Sequence, residues 1–301
     1  MGICDGRVVI VTGAGRGIGR EEALLFAAEG AKVVVNDLGK ETDGSGASQP
    51  VADSVVAEIK AMGGDAISNG DDVSDWEGAQ RLINAAIETF GGLDTLVNNA
   101  GILRDRMLVN MTEEEWDAVI KVHLKGTFCP TRWAAAYWRE RSKAGEANVA
   151  RIVNTSSSSG LYANPGQTNY GAAKSGIATF TQIAAKELKS YGVNVNAIAP
   201  GARTRMTEGL MAARGRAEPK PDEFDRSSPA NVAPLVVWLG SPLSADVTGQ
   251  VFNVAGGMVG VAEAWGRGPQ EDKKDRWAPS ELTDVVTKLV ETARPAGSIG
   301  G

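Results

Sequence analysis

Cysteine and histidine are nearly absent from this chain: Cys4, Cys129 and His123 are its only thiols and its only imidazole in 301 residues. Three such residues are too few for a Cys/His metal cluster or a disulfide framework, so no metal is expected and a reducing compartment fits. Positive charge is also short. The 31 Lys and Arg face 37 Asp and Glu, giving a net charge of −6 and a pI near 5.1. That is the reverse of the basic face that nucleic acid or an anionic membrane requires. No apolar run approaches the roughly 20 residues of a bilayer span, and the amino end lacks a charged segment followed by an apolar one. The carboxyl end, Ile299-Gly300-Gly301, is not a Ser-Lys-Leu address. A cytoplasmic protein with no nucleic-acid or membrane partner is expected.

Glycine, by contrast, is plentiful at 37 residues, and clusters of it follow short apolar runs. Val8-Val9-Ile10-Val11-Thr12 ends in Gly13-Ala14-Gly15-Arg16-Gly17-Ile18-Gly19, after which residues 20–29 have helical spacing. A buried strand, a glycine turn and a helix place backbone N–H groups and a positive helix end where a pyrophosphate can sit. The next run, Lys32-Val33-Val34-Val35-Asn36, is followed by Asp37, 18 positions after Gly19. A carboxylate there can accept hydrogen bonds from an adenosine ribose. It would repel a 2′-phosphate, so NAD is expected rather than NADP.

Further strands are expected at 66–68, 93–97, 149–155, 194–199 and 250–254. Helices are expected at 51–62, 76–90, 168–190 and 231–239. Thr112 with Glu115 forms an N-cap and capping box for a long helix running past Trp116 and His123 towards Trp138. Such alternation predicts an α/β fold, a single Rossmann-type doubly wound parallel sheet of about seven strands with helices on both faces. One domain, 1–257, precedes an extension, 258–301, with one helix at 280–294. Two loops stand out. The 38–50 loop folds over the adenosine end of the cofactor or is a surface insertion; the 202–228 loop is a lid or a variable surface loop.

Ligands of doubly wound sheets lie beyond the carboxyl ends of the strands. Asp72-Val73, Asn98-Asn99-Ala100-Gly101, Ser156-Ser157 and Pro200-Gly201 fall there. Thirteen positions after Ser157 comes Tyr170, with Lys174 one helical turn beyond it. An ammonium beside a phenol favours the phenolate, so Lys174 is expected to lower the pKa of Tyr170.

With these features in order, the chain from about 6 to 257 resembles the short-chain dehydrogenase/reductase family. The resemblance implies Tyr170 as acid/base, Ser157 polarising the substrate oxygen, and Lys174 on the nicotinamide ribose with Tyr170 beside it. It implies Gly13, Gly17, Ile18 and Gly19 for the pyrophosphate, Asp37 for the adenosine ribose, and Asp72 with Val73 for the adenine. Asn99 and Gly101 would border the middle of the cofactor, and Pro200 and Thr204 its nicotinamide amide. The family usually has asparagine where this chain has His123, which alters its standard proton route; the imidazole could hold the water that links Lys174 to solvent.

Val35-Asn36-Asp37-Leu38-Gly39, Asn99-Ala100-Gly101-Ile102-Leu103-Arg104-Asp105-Arg106 and Val122-His123-Leu124-Lys125-Gly126 are similar to the dehydrogenase part of peroxisomal multifunctional enzyme type 2. That likeness implies NAD-dependent oxidation of a (3R)-3-hydroxyacyl-CoA or a steroid-linked alcohol, in a homodimer or homotetramer. A 17β-hydroxysteroid dehydrogenase of free steroids, an NADPH-using reductase and a non-catalytic NAD-binding protein are the alternatives.

Overall fold

The computed structural model describes residues 2–39, 50–203, 223–263, 265–295, 297 and 299. The apolar runs become strands β1 (Val8–Thr12), β2 (Lys32–Asn36), β3 (Asp65–Asn69), β4 (Thr95–Asn98), β5 (Ala150–Thr155), β6 (Val193–Gly201) and β7 (Val251–Ala255). They pair in parallel, in the order β3-β2-β1-β4-β5-β6-β7. Every residue of β1 and β5 is buried, as a parallel strand covered on both faces requires.

The period of two along a strand divides the core. Val9 and Val11 join the cluster of Phe26, Ile59, Val236 and Leu239, from helices α1 (Gly17–Ala28), α2 (Pro50–Ala61) and a later one, Ala233–Gly240. Val8 and Ile10 point to the other face, among Leu82, Trp138 and Leu188. Those come from α3 (Trp76–Phe90), α5 (Gly126–Lys143) and α7 (Thr168–Leu188). The expected doubly wound sheet is the one observed.

Three departures from the sequence reading matter. An eighth strand, β8 (Met258–Val261), turns back at Gly256 and pairs antiparallel with β7, carrying the sheet past residue 257. Its four mostly exposed residues are too short to show a period. The long helix is interrupted: α4 (Glu113–Ile120), opened by the expected Thr112–Glu115 capping box, passes into a π-helical turn, Lys121–Lys125, before α5. His123 lies in that turn, a kind of irregularity that hydrophobic spacing does not reveal. Last, a short helix α6 (Ser158–Tyr162) follows β5.

Ala233–Gly240 is α8, and α9 (Leu282–Thr292), within the expected 280–294 helix, buries no side chain. Most of both irregular loops, 40–49 and 204–222, lies outside the described residues. Among the described residues no helix is long and apolar enough to cross a membrane.

Candidate active site

The strand order reverses between β1 and β4, and a doubly wound sheet opens its ligand crevice at such a point. The loops leaving these two strands pack closely. Gly13 has φ +63°, and a Cβ on it would stand 2.8 Å from Ala100 Cα. A Cβ on Gly19, in the first turn of α1, would stand 2.4 Å from Gly13 O and 2.5 Å from Asn99 Nδ2. Asn99 fastens the two loops: its side-chain amide donates to Thr12 O at 3.0 Å and to Gly13 O at 3.2 Å. Gly17 and Ile18 open α1. This bare backbone at a helix N-terminus suits a pyrophosphate.

Asp37, just past β2, accepts from Gly15 N at 2.8 Å through Oδ2 and from Gly39 N at 2.6 Å through Oδ1. A carboxylate has about four lone-pair sites, so a ribose diol can still be accommodated. Asp72 closes the loop after β3, where Oδ1 accepts from Ser74 N at 2.8 Å and Ser74 Oγ at 2.6 Å. Val73 is buried beside Gly126. Pro200 stands near the end of β6, opposite Val254 of β7; Thr204 lies outside the described residues.

Ser157, Tyr170, Lys174 and His123 come together. Ser157 is extended at φ −162° and caps α6, its Oγ accepting from Ser159 N at 3.2 Å; its side chain is also a neighbour of the Tyr170 phenol, whose pKa it lowers. Lys174, only 3% exposed, donates from Nζ to Thr155 O at 2.6 Å and lies 5.5 Å from the centre of the Tyr170 ring. The His123 ring meets Tyr170 edge to face, with centroids 5.1 Å apart and planes at 86°.

The electrostatics differ from the sequence expectation. Burial pushes the Tyr170 phenol up to about 12; the Ser157 hydrogen bond pulls it down, and the Asp105 charge pushes it further up. Burial also drops Lys174 to about 7. Burial dominates at both residues, and the expected lowering of the Tyr170 pKa is not seen.

His123 is 1% exposed. Burial first, then the Lys174 charge, hold its pKa well below 6.5, so the ring is neutral at pH 7. Its Nε2 faces the backbone of Ile102, 2.7 Å from the carbonyl O and 3.1 Å from the N–H. Nδ1 is buried without a hydrogen-bond partner among the described residues.

The structure also explains Gly101 differently from the sequence. A Cβ there would stand 2.3 Å from His123 Cε1, so glycine makes room for the imidazole. Gly101→Ala should cost about 1–3 kcal/mol of stability through overpacking and cut turnover, because the displaced ring packs on Tyr170. Thermal unfolding and kcat measure both; wild-type values would refute this account.

Three residues near Tyr170 were not found from the sequence: Asp105, Gln167 and Asn169. Polar residues so close before a candidate base, in Gly166-Gln167-Thr168-Asn169, were the available sign.

Comparison with known proteins agrees with this geometry. The short chain dehydrogenase family matches residues 7–215. The chain belongs to the short-chain dehydrogenase family. It is 45% identical to hydroxyacyl-CoA dehydrogenase ChsB1 of Mycobacterium tuberculosis, over 94% of this chain and 88% of that protein. It is 45% identical to mouse peroxisomal multifunctional enzyme type 2, over 85% of this chain and 32% of that longer protein. The crystal structure of a short chain dehydrogenase from Mycobacterium avium shares 57% identity, with a TM-score of 0.89 and 100% of each chain covered.

As a short-chain dehydrogenase the protein is an oxidoreductase acting on CH–OH groups, related to hydroxyacyl-CoA dehydrogenases, and membership implies a nicotinamide cofactor. The glycine cradle at Gly13 and Gly19, where a Cβ would fill the approach, fits such a group.

Proposed function

We propose that this short-chain dehydrogenase oxidises the 3-hydroxyl of a (3R)-3-hydroxyacyl-CoA to the ketone with NAD. The clustering of Ser157, Tyr170 and Lys174 carries the reading. Ser157 donates to the substrate oxygen. Tyr170 takes the hydroxyl proton in oxidation and returns it in reduction. Lys174, held by Thr155 O, borders the ribose of the nicotinamide. The bound oxidised cofactor supplies the hydride acceptor and a positive charge that favours the phenolate. In this reading Nδ1 of His123, unpartnered among the described residues, meets a water on the way from Lys174 to solvent.

The Asp37 carboxylate supports NAD, because a 2′-phosphate beside it would meet like charge. The names of the relatives support the thioester substrate. One relative favours the reverse reaction, reduction of a 3-oxo thioester. A 3-oxoacyl-[acyl-carrier-protein] reductase from Synechocystis is 44% identical over 97% of its length.

NAD reduction with a (3R)-3-hydroxyacyl-CoA and with a free 17β-hydroxysteroid, each repeated with NADP, tests the proposal. The expected result is a kcat/KM at least about 100-fold higher for the thioester, with NAD preferred; editing-free discrimination by polar contacts reaches this size. Preference for the free steroid or for NADP would overturn the substrate or the cofactor assignment respectively.

A further inference from the structure

Ser157 and Tyr170 stand on different helices, and Gln167 fastens those helices together. Its side chain is buried and both polar atoms are engaged. Nε2 donates to Asp105 Oδ2 at 2.7 Å; Oε1 accepts from Ser159 Oγ at 2.6 Å and from Asn164 Nδ2 at 2.8 Å. The amide is therefore held one way round, since a flipped side chain would set its oxygen against the acceptor-only Asp105 carboxylate.

Ser159, also buried, passes the link on. Its backbone N–H donates to Ser157 Oγ at 3.2 Å. An oxygen that already accepts this bond has its one O–H left to donate to the Tyr170 phenol or, with substrate bound, to the substrate oxygen. The helices lie close enough for such a tie to control them: a Cβ on Gly160 of α6 would stand 2.6 Å from Ser175 N of α7.

The second end of the link reaches Tyr170 through the backbone. Gln167 stands just before α7, and its carbonyl accepts from Gly171 N at 2.6 Å. Asn169 secures the same region separately. Its Nδ2 donates to Arg104 O at 3.0 Å and Glu115 O at 3.1 Å, and its Oδ1 accepts from Tyr170 N at 2.7 Å. Asp105 and Arg104 belong to one loop, the continuation of β4 past Gly101.

We propose that Gln167 is a positioning residue for the Ser157–Tyr170 pair, and that Asp105 is the anchor that holds it. The proposal rests on the roles given to Ser157 and Tyr170 above. Asp105 has a second effect, because its negative charge opposes the phenolate. Losing the charge alone should move the oxidation rate profile to lower pH, whereas losing the link should lower the rate at every pH.

The test is NAD-dependent oxidation of (3R)-3-hydroxybutyryl-CoA across the pH range, with NAD affinity measured in parallel, for wild type and three variants. Gln167→Ala should lower kcat on the order of 10- to 100-fold, the size expected for a misplaced reacting group, with NAD affinity unchanged. Asp105→Asn keeps an acceptor for Gln167 Nε2, so its rate should keep the wild-type slope with pH while the rising limb moves to lower pH. Wild-type kcat in Gln167→Ala overturns the role of Gln167; an unmoved rising limb in Asp105→Asn overturns the charge effect of Asp105. If Gln167→Ala fails to fold, Asp105→Ala, which removes the same link, takes its place, and a wild-type rate there overturns the positioning role. Tyr170→Phe separates the two levels. Full turnover there sinks the catalytic reading itself, while an inactive Tyr170→Phe beside a normal Gln167→Ala sinks only the positioning role.

Discussion

Replacing Tyr170 with Phe should lower alcohol oxidation about 1,000-fold, or about 4 kcal/mol of transition-state stabilisation, the usual range for a general base. The ring stays, and with it the edge-to-face contact to His123, so thermal stability and NAD binding should change little. The pH dependence has a definite sign. Burial pushes the phenol up to about 12, so below that value only a small fraction is ionised. Oxidation should then rise with pH, by about tenfold per unit while the phenol remains mostly protonated. Reduction uses the protonated phenol and should not gain. In Tyr170→Phe the residual rate should lose this slope. Turnover near wild type, or a slope that persists, would remove Tyr170 from the reaction.

Glu22→Gln should change how stability depends on pH. Glu22 lies on α1 with 0% exposure, and neither carboxylate oxygen has a hydrogen-bond partner among the described residues. Burial raises its pKa from 4.5 to about 8. A carboxyl raised on folding contributes stability that is complete below the unfolded pKa and is lost as pH rises through the folded one. Wild type should therefore lose stability between pH 4.5 and about 8, by as much as about 1.4 kcal/mol per unit. The glutamine variant lacks this loss. The two proteins should lie close at pH 5 and separate by several kcal/mol, on the order of 3, at pH 8.5. Lys174 and His123, both lowered by burial, contribute slopes of opposite sign, but equally in both proteins. Urea unfolding at the two pH values measures the difference; a constant offset would refute the burial account of Glu22.

The parallel sheet was legible because its strands are buried on both faces. Runs such as Val8-Val9-Ile10-Val11 have no other simple reading once glycine turns and amphipathic helices alternate with them. Asp37 and the Tyr170–Lys174 pair could be found because spacing along a strand or helix fixes which end or face a residue occupies. What spacing cannot supply is contact between distant segments. Gln167 meets Asp105 across 62 positions of sequence, and Gly101 makes room for His123 from 22 positions away. Nor does a motif reveal desolvation: the same two residues that suggest a lowered phenol pKa in water have it raised once they are buried. The π-turn at Lys121–Lys125 was hidden for a further reason, since five residues are too few to show a period of their own.

The reversal of strand order between β1 and β4 also bears on how the chain is made. Val9 pairs with Thr95, and Val11 with Val97, so the middle of the sheet cannot close until nearly a third of the chain has left the ribosome. Before then β1 has only β2 beside it, with the apolar residues of both strands partly uncovered. Pairing at such sequence distances is slow because loop entropy is lost before the contacts form. The cofactor crevice is consequently one of the last parts of the amino-terminal half to take shape, and NAD, binding only once it exists, should favour the finished fold over its precursors.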